Sequence, residues 1–344
     1  MQFIKPDINI DFIGKRNIAF YFSALLIFVT LISLLVKGGP QYGIDFAGGT
    51  LIQIKFASPV EVADVKSGLE QAGVGFSSVQ QFGDPGDHEF LIRADEAVSD
   101  GEDAARQISD ALQAASGERG EVRRVEMVGP QVGQDLREKA LLAMFFALLF
   151  ITIYISGRFE LKWMISGVMA GALMLAVYLL KLFHLSIPVL MLAALIITLI
   201  LFWFLELRYA MGAIAALIHD VAITVGVFSI FGKEFTLPIV AALLTIIGYS
   251  LNDTIIVFDR IRENLRKHHR QRFDFIINRS INETLGRTIL TSTTTLIVLV
   301  ILFIMGGDII HDFAFALIIG VLIGTYSSVY VASPILLAWH KRRK

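Results

Sequence analysis

An aspartate stands inside a run of residues otherwise suited to crossing a membrane. From Pro238 the chain is apolar through Val257, and Asp253 lies within that run, ahead of Asp259 and Arg260. An ionisable side chain at such depth costs roughly 2.5–3.5 kcal/mol on insertion scales. It therefore marks a pathway or a paired partner, unless it sits close enough to the interface to stay wet. Helical spacing puts Thr245 and Tyr249 on the face of Asp253, and Asn252 and Thr254 flank it. The next apolar run opens with Arg287, followed by TILTSTTT. Arg287, Thr291 and Thr294 fall on one face of it, and Thr288, Ser292 and Thr295 on another. The two runs are antiparallel neighbours, which brings Asp253 and Arg287 to similar depth. A nearby guanidinium favours the carboxylate and removal from water favours the acid. Opposed influences of that kind suit a group that gains and loses a proton. A static ion pair is the alternative, and the Ser/Thr run also suits packing between helices.

His219-Asp220, near the middle of another apolar run, is a second candidate. A buried proton relay and a satisfied structural pair fit it equally. The expected proton-pathway residues are thus Asp253, Arg287, Asp220 and Thr291. Thr245, Tyr249, Asn252, Thr254, Thr288 and Thr294 form a supporting polar stripe. Gly320, Gly324, Ser327 and Ser328 read as a close-packing stripe, and Gly48-Gly49 as a tight turn into a strand.

Other chemistries are poorly supported. There is no cysteine and hence no thiolate or disulfide, and the seven histidines have no metal-ligand spacing. No phosphate-binding or dinucleotide loop is present, nor a Ser-His-Asp spacing. A net charge of −1 supplies no field for nucleic acid. With 55% hydrophobic residues and a mean hydropathy of +0.66, the chain reads as a polytopic membrane protein.

The elements that must position these groups follow from periodicity. Residues 17–36 form an uncleaved anchor of about 20 residues. Residues 37–139 alternate between strand and helix patterns: strands at 50–56, 77–82, 89–93 and 122–128, helices at 60–72 and 100–115. That order, βαββαβ, is ferredoxin-like. Further spans are expected at 140–156, 163–183, 188–205, 211–231, 238–258, 288–305 and 312–339, about eight with the anchor. Arg158, Lys162, Arg208, the 259–286 segment and the basic C-terminal tail share one side. The positive-inside rule makes that side cytoplasmic, so the 37–139 domain is external. The 259–286 segment reads either as a helix on the membrane surface or as a solvated loop helix. FELKWMISG at Phe159 recurs as LELRYAMGA at Leu205, which aligns Thr152 with Thr198 and suggests a duplicated hairpin at about 163–205.

With these residues in view, the chain resembles the SecF family of the bacterial Sec protein-export machinery. The resemblance rests on GIDFAGGT at Gly43, VGPQVGQDLREKAL at Val128, IHDV at Ile218, GYSLNDTIIVFDRIREN at Gly248, GRTILTSTTT at Gly286 and GTYSSVYVASP at Gly324. It implies an RND-like bundle with a small α+β external domain, placed in the cell inner membrane. The implied partners are a SecD-like subunit, a SecYEG-type channel, translocating unfolded polypeptide and membrane lipid, with no nucleic acid and no cofactor. It implies use of the proton motive force to promote late steps of translocation, with Asp253 and Arg287 at the family's proton-pathway positions and no enzymatic step. The family's six-helix pattern is interrupted here, because RFELKW at Arg158 and ELRYAMGA at Glu206 are separated by the hairpin. An RND-type exporter of small solutes or lipids, or a non-transporting scaffold, are the alternatives.

Overall fold

The structure, a computed structural model, describes residues 8–71, 76–82, 86–94, 109–110, 112–113, 120–160, 163–181 and 187–342. Helix α1 (Arg16–Val36) leads through the single turn α2 (Ile44–Ala47) into β1 (Gly49–Lys55), α3 (Val62–Gln71), β2 (Phe76–Phe82), β3 (Glu89–Ala94) and β4 (Glu121–Val128). Then come α4 (Pro130–Glu160), α5 (Trp163–Lys181), α6 (Ile187–Phe204), α7 (Arg208–Phe231), α8 (Leu237–Lys267), α9 (Phe273–Met305) and α10 (Gly307–Ser327). A π turn (Ser328–Ala332) joins α10 to α11 (Ser333–Arg342).

The strands lie in the order β2-β3-β1-β4, all antiparallel. Alternation in β1 decides the faces. Ile52 and Ile54 point to one side and pack with Val65, Leu69, Phe90, Ile92 and Leu112. Leu51, Gln53 and Lys55 take the other, half-exposed side. The four strands stand within one residue of their expected bounds and α3 within two. The helix expected at 100–115 falls mostly outside the described residues. Gly48 and Gly49 make the turn into β1 at φ +78° and +114°, where a side chain on Gly48 would also meet Pro130.

Among the described residues six helices are long and apolar enough to cross a membrane: α1, α4, α7, α8, α9 and the continuous Ile310–His340 stretch. The expectation of about eight spans included the α5–α6 hairpin, whose apolar stretches are shorter. That hairpin packs on the bundle through Leu173 and Phe202, and Trp203 meets the Trp339 ring edge-on at 4.9 Å. Thr152 and Thr198, aligned by the repeat, line the same apolar cavity between hairpin and bundle.

The 259–286 segment differs from both readings of it. It is the extension of α8 and α9 beyond the bundle, as a helical hairpin. Ile261, Ile276, Ile277 and Ile281 are buried in that hairpin and the adjoining core. Asn264 donates to Ser280 (3.0 Å) and Glu283 (2.7 Å) across it, and Arg260 pairs with Glu283 at 2.6 Å. The apolar face is consumed by its own partner helix, so no stripe remains to lie on lipid.

The sheet domain is tied to the bundle by backbone. Phe235, in the α7–α8 loop, donates to Gln41 (2.7 Å) and accepts from Gly43 (2.8 Å). Arg93 of β3 donates to the Tyr42 carbonyl (2.8 Å) and faces Glu234 at 3.4 Å. Asp45 accepts from the Leu237 amide, at the start of α8, at 2.8 Å. Helix α8, which carries Asp253, therefore starts where the sheet domain is anchored.

Candidate proton site

Helices α8, α9 and α10 pack against one another, and glycines set how closely. A Cβ at Gly320 would lie 2.2 Å from the Ile246 side chain, and one at Gly324 would lie 2.9 Å from Ser250 Cβ. The glycines let α10 approach α8 closely, in the manner of small-residue stripes in membranes. That approach seals Asp253, whose exposure is 1%. Thr325 of α10 stands by its carboxylate, yet neither oxygen is held in a hydrogen bond of good geometry. Thr325 instead donates to the Val321 carbonyl at 2.8 Å and meets Ser292 at 2.7 Å. A buried carboxylate without donors is costly while charged, which leaves it free to take a proton.

The remaining expected residues divide between the interior and an open face. Thr254 is 1% exposed and Thr288 is 2% exposed, and the Thr288 hydroxyl also lacks a hydrogen-bond partner. Tyr249 donates to Thr295 at 3.3 Å across the α8–α9 seam. Thr245, Asn252, Arg287 and Thr294 are exposed, and Thr291 is half-buried with its hydroxyl turned back on its own helix. Arg287 thus stands at the rim, on a helix that presents a polar stripe outward.

His219-Asp220 occupies a separate, richly bonded pocket. Asp220 is 0% exposed. Its Oδ2 accepts from Ser250 of α8 (2.5 Å) and Ser327 of α10 (2.7 Å), and its Oδ1 faces His219 Nδ1 at 2.9 Å. His219 Nε2 lies 3.0 Å from Ser23 Oγ of α1, which lies 3.0 Å from Tyr326 Oη. Tyr326 donates to the Ala19 carbonyl at 2.8 Å. The π turn begins directly after Ser327, with Ser333 bonded to the Ser328 carbonyl at 2.9 Å. Such turns recur at functional sites. Sequence reading missed Ser23, Ser250, Thr325 and Tyr326 and took Ser327 for packing alone. A serine within an apolar helix has the same signature in either role, and only the paired helix decides.

Comparison with known proteins identifies the family. The family model for the protein export membrane protein SecD/SecF C-terminal region matches residues 107–200 and 180–342, and the SecD/SecF GG motif matches 32–60. The protein translocase subunit SecF of Magnetococcus marinus is 46% identical over 343 residues, 98% of this chain and 94% of that one. That of Pseudomonas aeruginosa is 36% identical over 330 residues, 96% and 91% of the two chains. The crystal structure of SecDF from Thermus thermophilus, described as a translocon-associated membrane protein, aligns with a TM-score of 0.76 at 31% identity. The alignment covers 98% of this chain and 40% of that longer one. A SecDF structure in a super-membrane-facing form aligns at TM-score 0.61 and 32% identity, over 98% and 39%. The chain spans most of its SecF relatives and about two fifths of the SecDF chains, and it belongs to the SecD/SecF family of protein-export membrane proteins.

Proposed function

We propose that this SecF-family chain couples proton movement through the bundle to movement of its sheet domain, which holds or pulls polypeptide emerging from the Sec channel. The observation that carries the reading is Asp253, buried at 1% exposure with neither oxygen in a hydrogen bond of good geometry. Arg287 modulates its charge from the rim, and Asp220 and Thr291 extend the polar route. One charge crossing 100 mV supplies about 2.3 kcal/mol, a roughly fiftyfold bias on a two-state equilibrium. The mechanical link is α8, with Asp253 along its length and Asp45 and Phe235 of the sheet-domain anchor at its start. No covalent step is needed for such coupling, and the reading is of a transport subunit rather than an enzyme.

The stripe of Thr245, Asn252, Arg287 and Thr294 is exposed on the isolated chain. Polar side chains at membrane depth call for a protein partner rather than lipid. A SecD-like subunit covering that stripe fits, and it would complete the surroundings of Asp253. The basic ends of α4 and α7 and the α8–α9 hairpin support a cytoplasmic placement for that side, with the sheet domain facing the exterior of a bacterial inner membrane. The reading predicts that a SecD-like protein co-purifies from gently solubilised membranes, and that an imposed proton gradient accelerates export by vesicles containing both. Recovery without a partner, or export indifferent to the gradient, would favour a passive scaffold.

A further inference from the structure

The hydrogen bonds around His219 fix how many protons the pocket holds. The Ala19 carbonyl can only accept, so Tyr326 donates its hydrogen there at 2.8 Å. Ser23 Oγ, 3.0 Å from the same Tyr326 oxygen, must then supply the hydrogen of that second bond. Ser23 has none left for His219 Nε2 at 3.0 Å, so Nε2 carries a hydrogen. Across the ring, Nδ1 faces Asp220 Oδ1 at 2.9 Å, while Oδ2 is already occupied by the Ser250 and Ser327 hydroxyls. Two lone pairs would face each other unless a hydrogen lies between Nδ1 and Oδ1.

We infer that the His219–Asp220 pair is a proton store, loaded in this conformation with one proton more than a neutral imidazole beside a carboxylate. Whether written as imidazolium with carboxylate or as imidazole with carboxylic acid, the pair is neutral overall. Burial agrees, because His219 is 4% and Asp220 0% exposed, and an uncompensated charge there would be costly. The groups bonded to the pair from the neighbouring helices are hydroxyls: Ser23 on α1, Ser250 on α8 and Ser327 on α10. Asp253, one turn beyond Ser250, is the nearest carboxylate along α8.

Unloading the store changes the contacts between helices. When one proton leaves to water, the remaining one stays on Nδ1, bonded to the carboxylate, and Nε2 becomes an acceptor. The Ser23 hydroxyl rotates to donate to Nε2, and the Tyr326 hydroxyl rotates to donate to Ser23. Tyr326 then gives up the Ala19 carbonyl, so that α10 is held to α1 at this point through Ser23 alone. No bond to a heavy atom breaks other than that to the departing proton. The purpose of the store rests on the proposed proton path, whereas the hydrogen count does not.

The test is nitrogen NMR of the full chain in lipid, with ¹⁵N-histidine and the His219 signals assigned by their loss in His219→Gln. In the unsubstituted protein Nε2 resonates as a protonated nitrogen. Tyr326→Phe keeps the ring stacked on His219 at 6.1 Å but removes the fixed donor, and the Nε2 hydrogen is then lost while Nδ1 keeps its own. A hydrogen on Nδ1 alone in the unsubstituted protein overturns the inference, as does an unaltered spectrum in Tyr326→Phe. The unsubstituted spectrum decides by itself if that variant is not recovered. Export plays no part in the readout, so failure of the Asp253 reading would leave this count standing.

Discussion

Replacing Asp220 by alanine removes the acceptor shared by two serines of neighbouring helices and by His219 of its own helix. Ser250 and Ser327 lie 2.5 and 2.7 Å from its Oδ2, and His219 Nδ1 lies 2.9 Å from its Oδ1. Hydrogen bonds between membrane helices average about 0.6 kcal/mol and reach about 1.7. The two that join helices set the loss at about 1–3 kcal/mol. Asp220 is 0% exposed, so water cannot replace the lost acceptor, and the upper part of that range is expected. Asp220→Asn is different. Its amide oxygen still accepts from both serines and its NH₂ group can donate to Nδ1, so its cost stays within about 1 kcal/mol. Ser250→Ala and Ser327→Ala each remove one donor and fall between. The assay is reversible unfolding in mixed micelles, read as the denaturant midpoint for each variant. Alanine at 220 within about 0.5 kcal/mol of the parent would refute this role of Asp220, and so would asparagine as damaging as alanine.

Three further outcomes are expected. A single cysteine at Gln80 reacts with a membrane-impermeant thiol reagent from outside the cell and one at Arg270 does not, the chain having no cysteine of its own; the reverse pattern sinks the orientation. Arg287→Lys lowers gradient-driven export at unchanged protein level, because a compact ammonium does not reproduce the reach and spread of the guanidinium, and export equal to the parent would contradict that. Burial raises the Glu234 carboxyl above its usual range, with Arg93 pulling against it. A raised folded value means that stability is present at low pH and lost as pH rises through that value. Protection of the Gly43 and Phe235 amides from hydrogen exchange, corrected for intrinsic rates, should therefore fall with rising pH and become flat in Glu234→Gln. Identical pH profiles would remove Glu234 from the anchor.

The apolar runs and the alternation in residues 50–56 and 89–93 were enough to place the main spans and the sheet. Those signals are local, since burial of a helix or of one strand face is written in the period of its own residues. The Asp253 depth was legible for the same reason. What the chain hides is pairing between distant elements. Nothing local to Ser23 or Ser327 says that they converge on His219 and Asp220. That convergence depends on Gly320 and Gly324 letting α10 against α8, and on α1 lying along α7. The 259–286 segment shows the opposite difficulty. Its apolar residues were visible, but whether they faced lipid or belonged to a solvated loop helix stayed open, because the partner was the other half of the same segment. Arg287 was expected inside the bundle beside Asp253. Its exposed position on the single chain is intelligible only with a neighbour supplied, which a single sequence does not contain.

The most direct test of proton coupling is export rate against an imposed proton gradient in vesicles carrying Asp253→Asn. The substitution is nearly isosteric and relieves the burial of a charge, so the protein should insert, fold and assemble in normal amount. It cannot take and release a proton at that oxygen. The account predicts parental amounts of folded protein in the membrane and a rate that no longer responds to the gradient. A full gradient response in Asp253→Asn would contradict it.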